Sequence, residues 1–105
     1  MDDEFWLRYL RAHSLRSTRT LHYLGSLLAI YTIVRARRLR DLLLTPVAGY
    51  IPAWFAHLVF ERNRPETFSH PVASLLADYR MLSLALTGRL GPHLARAFGE
   101  PPADV

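Results

Sequence analysis

Residues 42–60 read LLLTPVAGYIPAWFAHLVF, nineteen positions without a formal charge when His57 is neutral. A run of that length approaches the roughly 20 apolar residues a helix needs to cross a bilayer. Pro46, Gly49 and Pro52 interrupt it, so a single straight helix is not expected. Two short helices, a kinked span or a re-entrant hairpin each fit, as does a buried helix pair in a soluble bundle. Upstream, residues 21–34 (LHYLGSLLAIYTIV) form a second apolar segment, short for a full crossing. Its Gly25, Ser26 and Ala29 are small enough to admit a neighbouring helix closely. Arg35, Arg37, Arg38 and Arg40 join the two segments. The pair therefore reads as an apolar helical hairpin with a basic 35–40 loop, which the excess of positive charge assigns to the cytoplasmic side.

Outside the hairpin the chain also reads as helix. Trp6, Tyr9, Leu10 and His13 recur at i, i+3, i+4 and i+7, placing them on one face of a helix over about 3–13. Asp2, Asp3 and Glu4 suit its positive end. Ser14–Thr18 reads as a turn, with Ser17 or Thr18 as N-cap of a helix over about 18–35. On that helix His22, Gly25, Ser26, Ala29 and Ile33 form one stripe. Residues 61–70 read as a polar loop. Pro71 suits the first position of a helix over about 71–87, with Val72, Leu75, Leu76, Tyr79 and Leu82 as its apolar face. Gly88 and Gly91-Pro92 precede a short segment at about 92–98, and the tail 99–105 is expected to be disordered. There is no strand alternation, internal repeat or Gly-rich phosphate loop. The expected fold is all-α: one domain over residues 1–98, a bundle of about four to six helices, membrane-associated.

Composition narrows the chemistry. The chain has 105 residues, half of them apolar, with 21% charged and a net charge of +4. Without cysteine, thiolate ligands, disulfides and cysteine nucleophiles are excluded. All 13 basic residues are Arg, so lysine Schiff-base chemistry is excluded too. The basic balance could serve nucleic acid, but no nucleic-acid motif accompanies the Arg run. A basic loop between apolar segments points instead to anionic lipid headgroups. The acidic start does not fit a secretory signal, and no serine stands in a nucleophile elbow.

Four of the five histidines, His13, His22, His57 and His70, lie beside or within apolar stretches. Imidazole in such surroundings needs a partner, and a metal ion is one that several can share. Each taken alone is more often a capped or surface residue. His57 and Glu61 are four apart, a spacing that suits either a metal pair or a simple helix-surface contact. His70 before Pro71 fits a helix cap, a ligand or a carboxylate-binding residue. Asp78 is placed to orient a bound imidazole from behind or to pair with an Arg. His93 is read as a surface residue. Histidines without cysteine suit Fe(II), Zn or Mn, and the residue types alone do not separate these.

The pattern H-x8-H followed by Gly, then G-Y-x3-W-x2-H-x2-F-E-x-N-R-P-x-T-F-x-H-P-x2-S-L-x2-D, spans roughly residues 9–81. It resembles the family of the yeast endoplasmic-reticulum 2-hydroxy fatty acid dioxygenase of phytosphingosine breakdown. The resemblance implies Fe(II)-dependent α-oxidation, in which a 2-hydroxy fatty acid and O2 give CO2 and a fatty acid one carbon shorter. It implies iron held by His13, His22, His57 and His70, with Glu61 and Asp78 orienting the imidazoles or adding a ligand. Arg19 or Arg64 could pair the substrate carboxylate, and an apolar groove among Trp54, Phe55, Leu58 and Phe60 could hold the acyl chain. Two other readings stand beside this one: a small membrane protein with a structural metal, and a soluble adaptor that uses its Arg loop on anionic partners.

Overall fold

A computed structural model describes residues 2–65 and 68–99 of the chain; of the tail expected to be disordered over 99–105, Gly99 is the left-handed C-cap of α5 (Leu90–Phe98) and residues 100–105 lie outside the described residues. Every regular element among the described residues is helical. The elements are α1 (Asp3–Arg11), α2 (Arg16–Arg35), a 3-10 turn (Leu39–Leu43), α3 (Leu44–Phe55), a π-helical turn (Ala56–Glu61), α4 (Pro71–Leu86) and α5 (Leu90–Phe98).

α1 is capped by Asp2, whose carboxylate accepts from the Phe5 backbone N–H at 2.7 Å. This satisfies one of the donors that a helix start leaves without a partner. The face anticipated from the i, i+3, i+4 spacing is the buried one. Phe5, Trp6, Tyr9 and Leu10 pack with Ala77 and Met81 of α4 and with Leu90, Leu94 and Ala97 of α5. Arg80 sets its guanidinium over the Trp6 ring at 4.3 Å. An exposed Arg96–Asp3 ion pair ties α5 to α1. This end of the molecule holds the large buried side chains of the core. His93 is more engaged than a surface reading allows: it is half-buried, and its Nδ1 accepts the Trp6 indole N–H at 3.0 Å.

The hairpin of α2 and α3 is built differently. Its buried residues on α2 are Thr18, Arg19, His22, Gly25, Ser26 and Ala29, and on α3 Ala53. Small side chains let the backbones meet: a Cβ placed on Gly25 would lie 2.5 Å from the Gly49 carbonyl oxygen. Thr32 and Thr45 share a hydrogen bond of 2.7 Å nearer the connecting loop. The Asp41 carboxylate accepts from the backbone N–H groups of Arg37 and Arg38, closing that loop. Gain of van der Waals contact between close backbones is the packing mode expected where the surroundings are themselves apolar.

The outer surface agrees. Leu27, Tyr31, Val34, Leu43, Val47, Ile51 and Leu58 are exposed. The helical run Leu39–Glu61 is long and apolar enough to cross a membrane, and little of it is buried. It passes from 3-10 to α geometry at Leu44 and from α to π at Ala56, while Pro46 and Pro52, the expected interruptions, both lie within α3. On α4 the expected apolar face divides: Leu82 is buried and Tyr79 half-buried, but its N-terminal part is turned outward. Val72, Leu75 and Leu76 are exposed, while Ser74, Ala77, Asp78, Met81 and Leu82 face in. In the first turns of α4 the interior takes the small and polar side, with Asp78 reaching His22 of α2, and further along it takes Met81 and Leu82.

Candidate metal centre

Three segments deliver an imidazole each to one point. His13 follows the end of α1, His22 lies in the second turn of α2, and His57 sits on the π-helical turn after α3. They are 0%, 6% and 1% exposed. Their Nε2 atoms form a triangle with sides of 3.1 Å (His13–His22), 3.0 Å (His22–His57) and 3.0 Å (His57–His13).

The opposite nitrogens fix the proton positions. His13 Nδ1 lies 2.6 Å from the Tyr9 carbonyl oxygen, which can only accept. His57 Nδ1 lies 2.7 Å from Asn63 Oδ1, and that amide is oriented by its Nδ2 donating to the Ala12 carbonyl at 3.1 Å. His22 Nδ1 lies 3.1 Å from Asp78 Oδ1. Each Nδ1 therefore donates, and in a neutral ring the proton is then absent from Nε2. Three lone pairs face one another at about hydrogen-bond distance with no proton among them. A cation at the centre would resolve the repulsion. A proton is a poor candidate: burial and the neighbouring imidazoles hold the His13 pKa well below the ordinary histidine value.

A metal ion fits the donor set. Metal–imidazole bonds of about 2.1 Å meeting near right angles would separate their nitrogens by about 3.0 Å. Each imidazole also has the N–H acceptor behind it that metal-bound histidines usually show. Around the cluster, Tyr9 stacks on His13 with ring centroids 4.1 Å apart and donates its hydroxyl to Asp78 Oδ1. Burial and the Asp78 charge raise the Tyr9 pKa, so the phenol keeps its proton and remains a donor.

The π turn explains how His57 arrives. Arg62, with φ of 56°, ends the helix in the left-handed region. The Asn63 backbone N–H then returns to the His57 carbonyl at 3.0 Å, bringing the Asn63 side chain beneath the ring. Arg62 is a non-glycine residue in a sparsely populated conformation, so the turn is held by its surroundings.

The remaining expected site residues go to several places. Asp78 is at the cluster, behind His22. Glu61 is not. Its carboxylate accepts from the Ser14 N–H at 3.2 Å, the Leu15 N–H at 2.7 Å, the Thr18 hydroxyl at 2.6 Å and the Ser14 hydroxyl. It caps α2 from across the fold, the part assigned to Ser17 or Thr18 on sequence grounds, and does not orient His57. The four-residue spacing misleads because the helix widens into a π turn there. His70 is exposed at the start of α4, its ring edge-on to Phe5 at 5.5 Å, and does not join the three histidines. Arg19 is buried with its guanidinium donating to the carbonyls of His13 and Ser14, so it braces the α1–α2 loop. Arg64 is exposed over the Phe68 ring. Trp54 stacks on Tyr50 and meets Phe68 edge to face. Phe55 and Phe60 meet edge to face on the outer surface, and the depression they share with Arg16 and Leu21 includes none of the three histidines. The expected acyl groove among Trp54, Phe55, Leu58 and Phe60 therefore has no contact with the cluster.

Two contributors were not anticipated. Tyr9 lies four residues before His13 on the recognised helical face, and Asn63 lies inside the quoted motif. Both were visible as residues; neither spacing indicated its partner.

A family model described as Mpo1-like, 2-hydroxy-palmitic acid dioxygenase Mpo1-like, matches residues 2–90. No curated protein and no solved structure matches the chain.

Proposed function

The chain belongs to the Mpo1-like family, and from that premise we propose that it is a membrane-bound, Fe(II)-dependent dioxygenase that shortens 2-hydroxy fatty acids by one carbon. The observation that carries the reading is the triangle of proton-free Nε2 atoms on His13, His22 and His57. Three neutral imidazoles, with no fourth ligand beside them among the described residues, are a donor set suited to a redox-active ion, whereas a structural site is usually closed by a fourth protein ligand.

The chemistry balances without an external reductant. Carbon 1 of the 2-hydroxy acid leaves as CO2, carbon 2 becomes the new carboxyl carbon, and O2 accepts the four electrons released, with one water formed. Iron bound by the three imidazoles would supply chelation of the substrate carboxylate and hydroxyl and the activation of O2.

The protein's own groups prepare the site. The Tyr9 carbonyl, Asn63 and Asp78 hold each imidazole in the tautomer that presents Nε2. Tyr9 covers one face of His13 and excludes water there. Among the described residues Asp78 is the carboxylate at the cluster; accepting from both His22 and Tyr9, it strengthens His22 as a donor. The exposed apolar hairpin would lie in lipid, with the Arg35–Arg40 loop at the cytoplasmic face among anionic headgroups.

The test is anaerobic reconstitution with Fe(II), followed by O2 uptake on addition of 2-hydroxypalmitate. The expected result is substrate-dependent O2 consumption with release of CO2 and a fifteen-carbon acid. Protein that binds one metal per chain yet consumes no O2 with this substrate would overturn the assignment.

A further inference from the structure

A cavity of about 300 Å3 opens between α2, α3 and α4. His22 and Asp78 stand at its head. Ser26, Ala29 and Ile33 continue it along one stripe of α2, Pro46 and Gly49 wall it on α3, and Leu75 on α4. Several of its polar groups are already engaged. Tyr79 donates its hydroxyl to the Ser26 carbonyl at 3.3 Å, and Thr45 is paired with Thr32. The hydroxyls of Ser26 and Tyr50 also line it, and the rest of its wall beyond His22 and Asp78 is mainly hydrocarbon.

We propose that this cavity holds the alkyl chain of the substrate and measures its length, with Ala29 at its middle and Ile33 and Pro46 at its far end. The inference rests on the function proposed above and adds to it where the chain lies and what limits it. One end of the cavity touches a metal-facing imidazole, which the outer depression beside Phe55 and Phe60 does not. The dimensions also fit. Ile33 is eleven residues beyond His22, about 16 Å along a helix rising about 1.5 Å per residue. An extended alkyl chain advances about 1.25 Å per methylene, given C–C bonds of about 1.5 Å. The cavity therefore accepts about 13 methylenes beyond the chelating carbons, an acid of about fourteen to sixteen carbons. Ala29, seven residues beyond His22, lies about 10 Å along, so a larger residue there would stop the chain near ten carbons.

The experiment uses anaerobic, Fe(II)-loaded protein in lipid nanodiscs. A series of 2-hydroxy acids from about eight to about eighteen carbons competes with a fluorescent fatty acid. Each methylene that gains a wall should tighten binding about fourfold. In the parent, affinity should rise to about sixteen carbons and then level. Ala29→Leu should level near ten carbons, losing at least tenfold at sixteen while binding the shorter acids as the parent does. Ile33→Ala, at a half-exposed position that tolerates truncation, should move the plateau outward by about two carbons. Equal weakening at every length in a folded Ala29→Leu, or an unmoved plateau in Ile33→Ala, overturns the proposal. If Ala29→Leu does not fold, Ile33→Ala decides alone. Failure of the underlying function looks different: the parent would then bind 2-hydroxy and unsubstituted acids equally, with or without iron.

Discussion

Replacing Asn63 by Ala and Glu61 by Gln separates two accounts of how His57 is held. Asn63 gives two hydrogen bonds, accepting from His57 Nδ1 at 2.7 Å and donating to the Ala12 carbonyl at 3.1 Å. In Asn63→Ala the imidazole loses the acceptor that fixes its tautomer, and loss of such a partner lowers metal affinity by about 10- to 100-fold. That corresponds to about 1.4–2.8 kcal/mol of binding free energy. The two lost hydrogen bonds, at about 0.5–1.5 kcal/mol each, should lower the stability of the metal-free protein by about 1–3 kcal/mol. Glu61→Gln weakens the cap on α2 and leaves the imidazoles untouched. Its stability should fall by about 1 kcal/mol, and its metal affinity should stay within about twofold of the parent. Competition with a chromophoric chelator measures affinity, and denaturant unfolding of the metal-free protein measures stability. The reasoning fails if Glu61→Gln loses as much metal affinity as Asn63→Ala, or if Asn63→Ala retains the parent value.

Three further expectations follow from the geometry. Gly25→Ala drives a methyl to 2.5 Å from the Gly49 carbonyl and should cost about 1–3 kcal/mol in unfolding free energy; parent-like stability would mean the backbones do not meet there. His70→Ala should leave metal per chain unchanged by elemental analysis, since His70 stands against Phe5 away from the cluster. His93 should make the protein acid-sensitive: burial, then the charges of Arg80 and Arg96, lower its pKa from 6.5, so the unfolded chain takes up the proton first. Its contribution is complete above pH 6.5 and is lost as pH falls through the depressed folded value. The Trp6 indole donating to His93 Nδ1 is the contact that protonation breaks. His93→Gln should flatten the melting temperature against pH in that range, and an unchanged slope would assign the sensitivity elsewhere.

How much of this was legible in the sequence depended on the kind of signal. The helices on either side of the polar turn and the buried face of Trp6, Tyr9, Leu10 and His13 follow from a period of 3.6 residues, which backbone geometry enforces. The meeting of His13, His22 and His57 was readable from imidazole chemistry in apolar surroundings and from the family motif. The part played by Glu61 was not, because a four-residue spacing implies contact only while the helix stays regular, and Ala56–Glu61 is a π turn. The orientation of α4 was hidden for another reason. An apolar stripe seeks the least polar neighbour, and a sequence does not say whether that is the core or the surroundings; Val72, Leu75 and Leu76 turn out while Ser74 and Asp78 turn in. Asn63 and Arg19 find partners at carbonyls of the α1–α2 connection, long-range pairings that no local pattern encodes.

The uneven distribution of bulk has a consequence for how the molecule comes apart. Aromatic and aliphatic mass is packed where α1, α4 and α5 meet, whereas α2 and α3 touch through glycine, alanine and serine. The three imidazoles straddle the seam between these halves, so an ion held there would act as a rivet, and its affinity would add directly to the cohesion of the whole. Chelation should therefore loosen the seam before either half melts, visible as hairpin amides that exchange with deuterium ahead of those in α1 and α5. In a cell, scarcity of the ion would then register as faster turnover of the polypeptide, not as a dormant pool awaiting rescue.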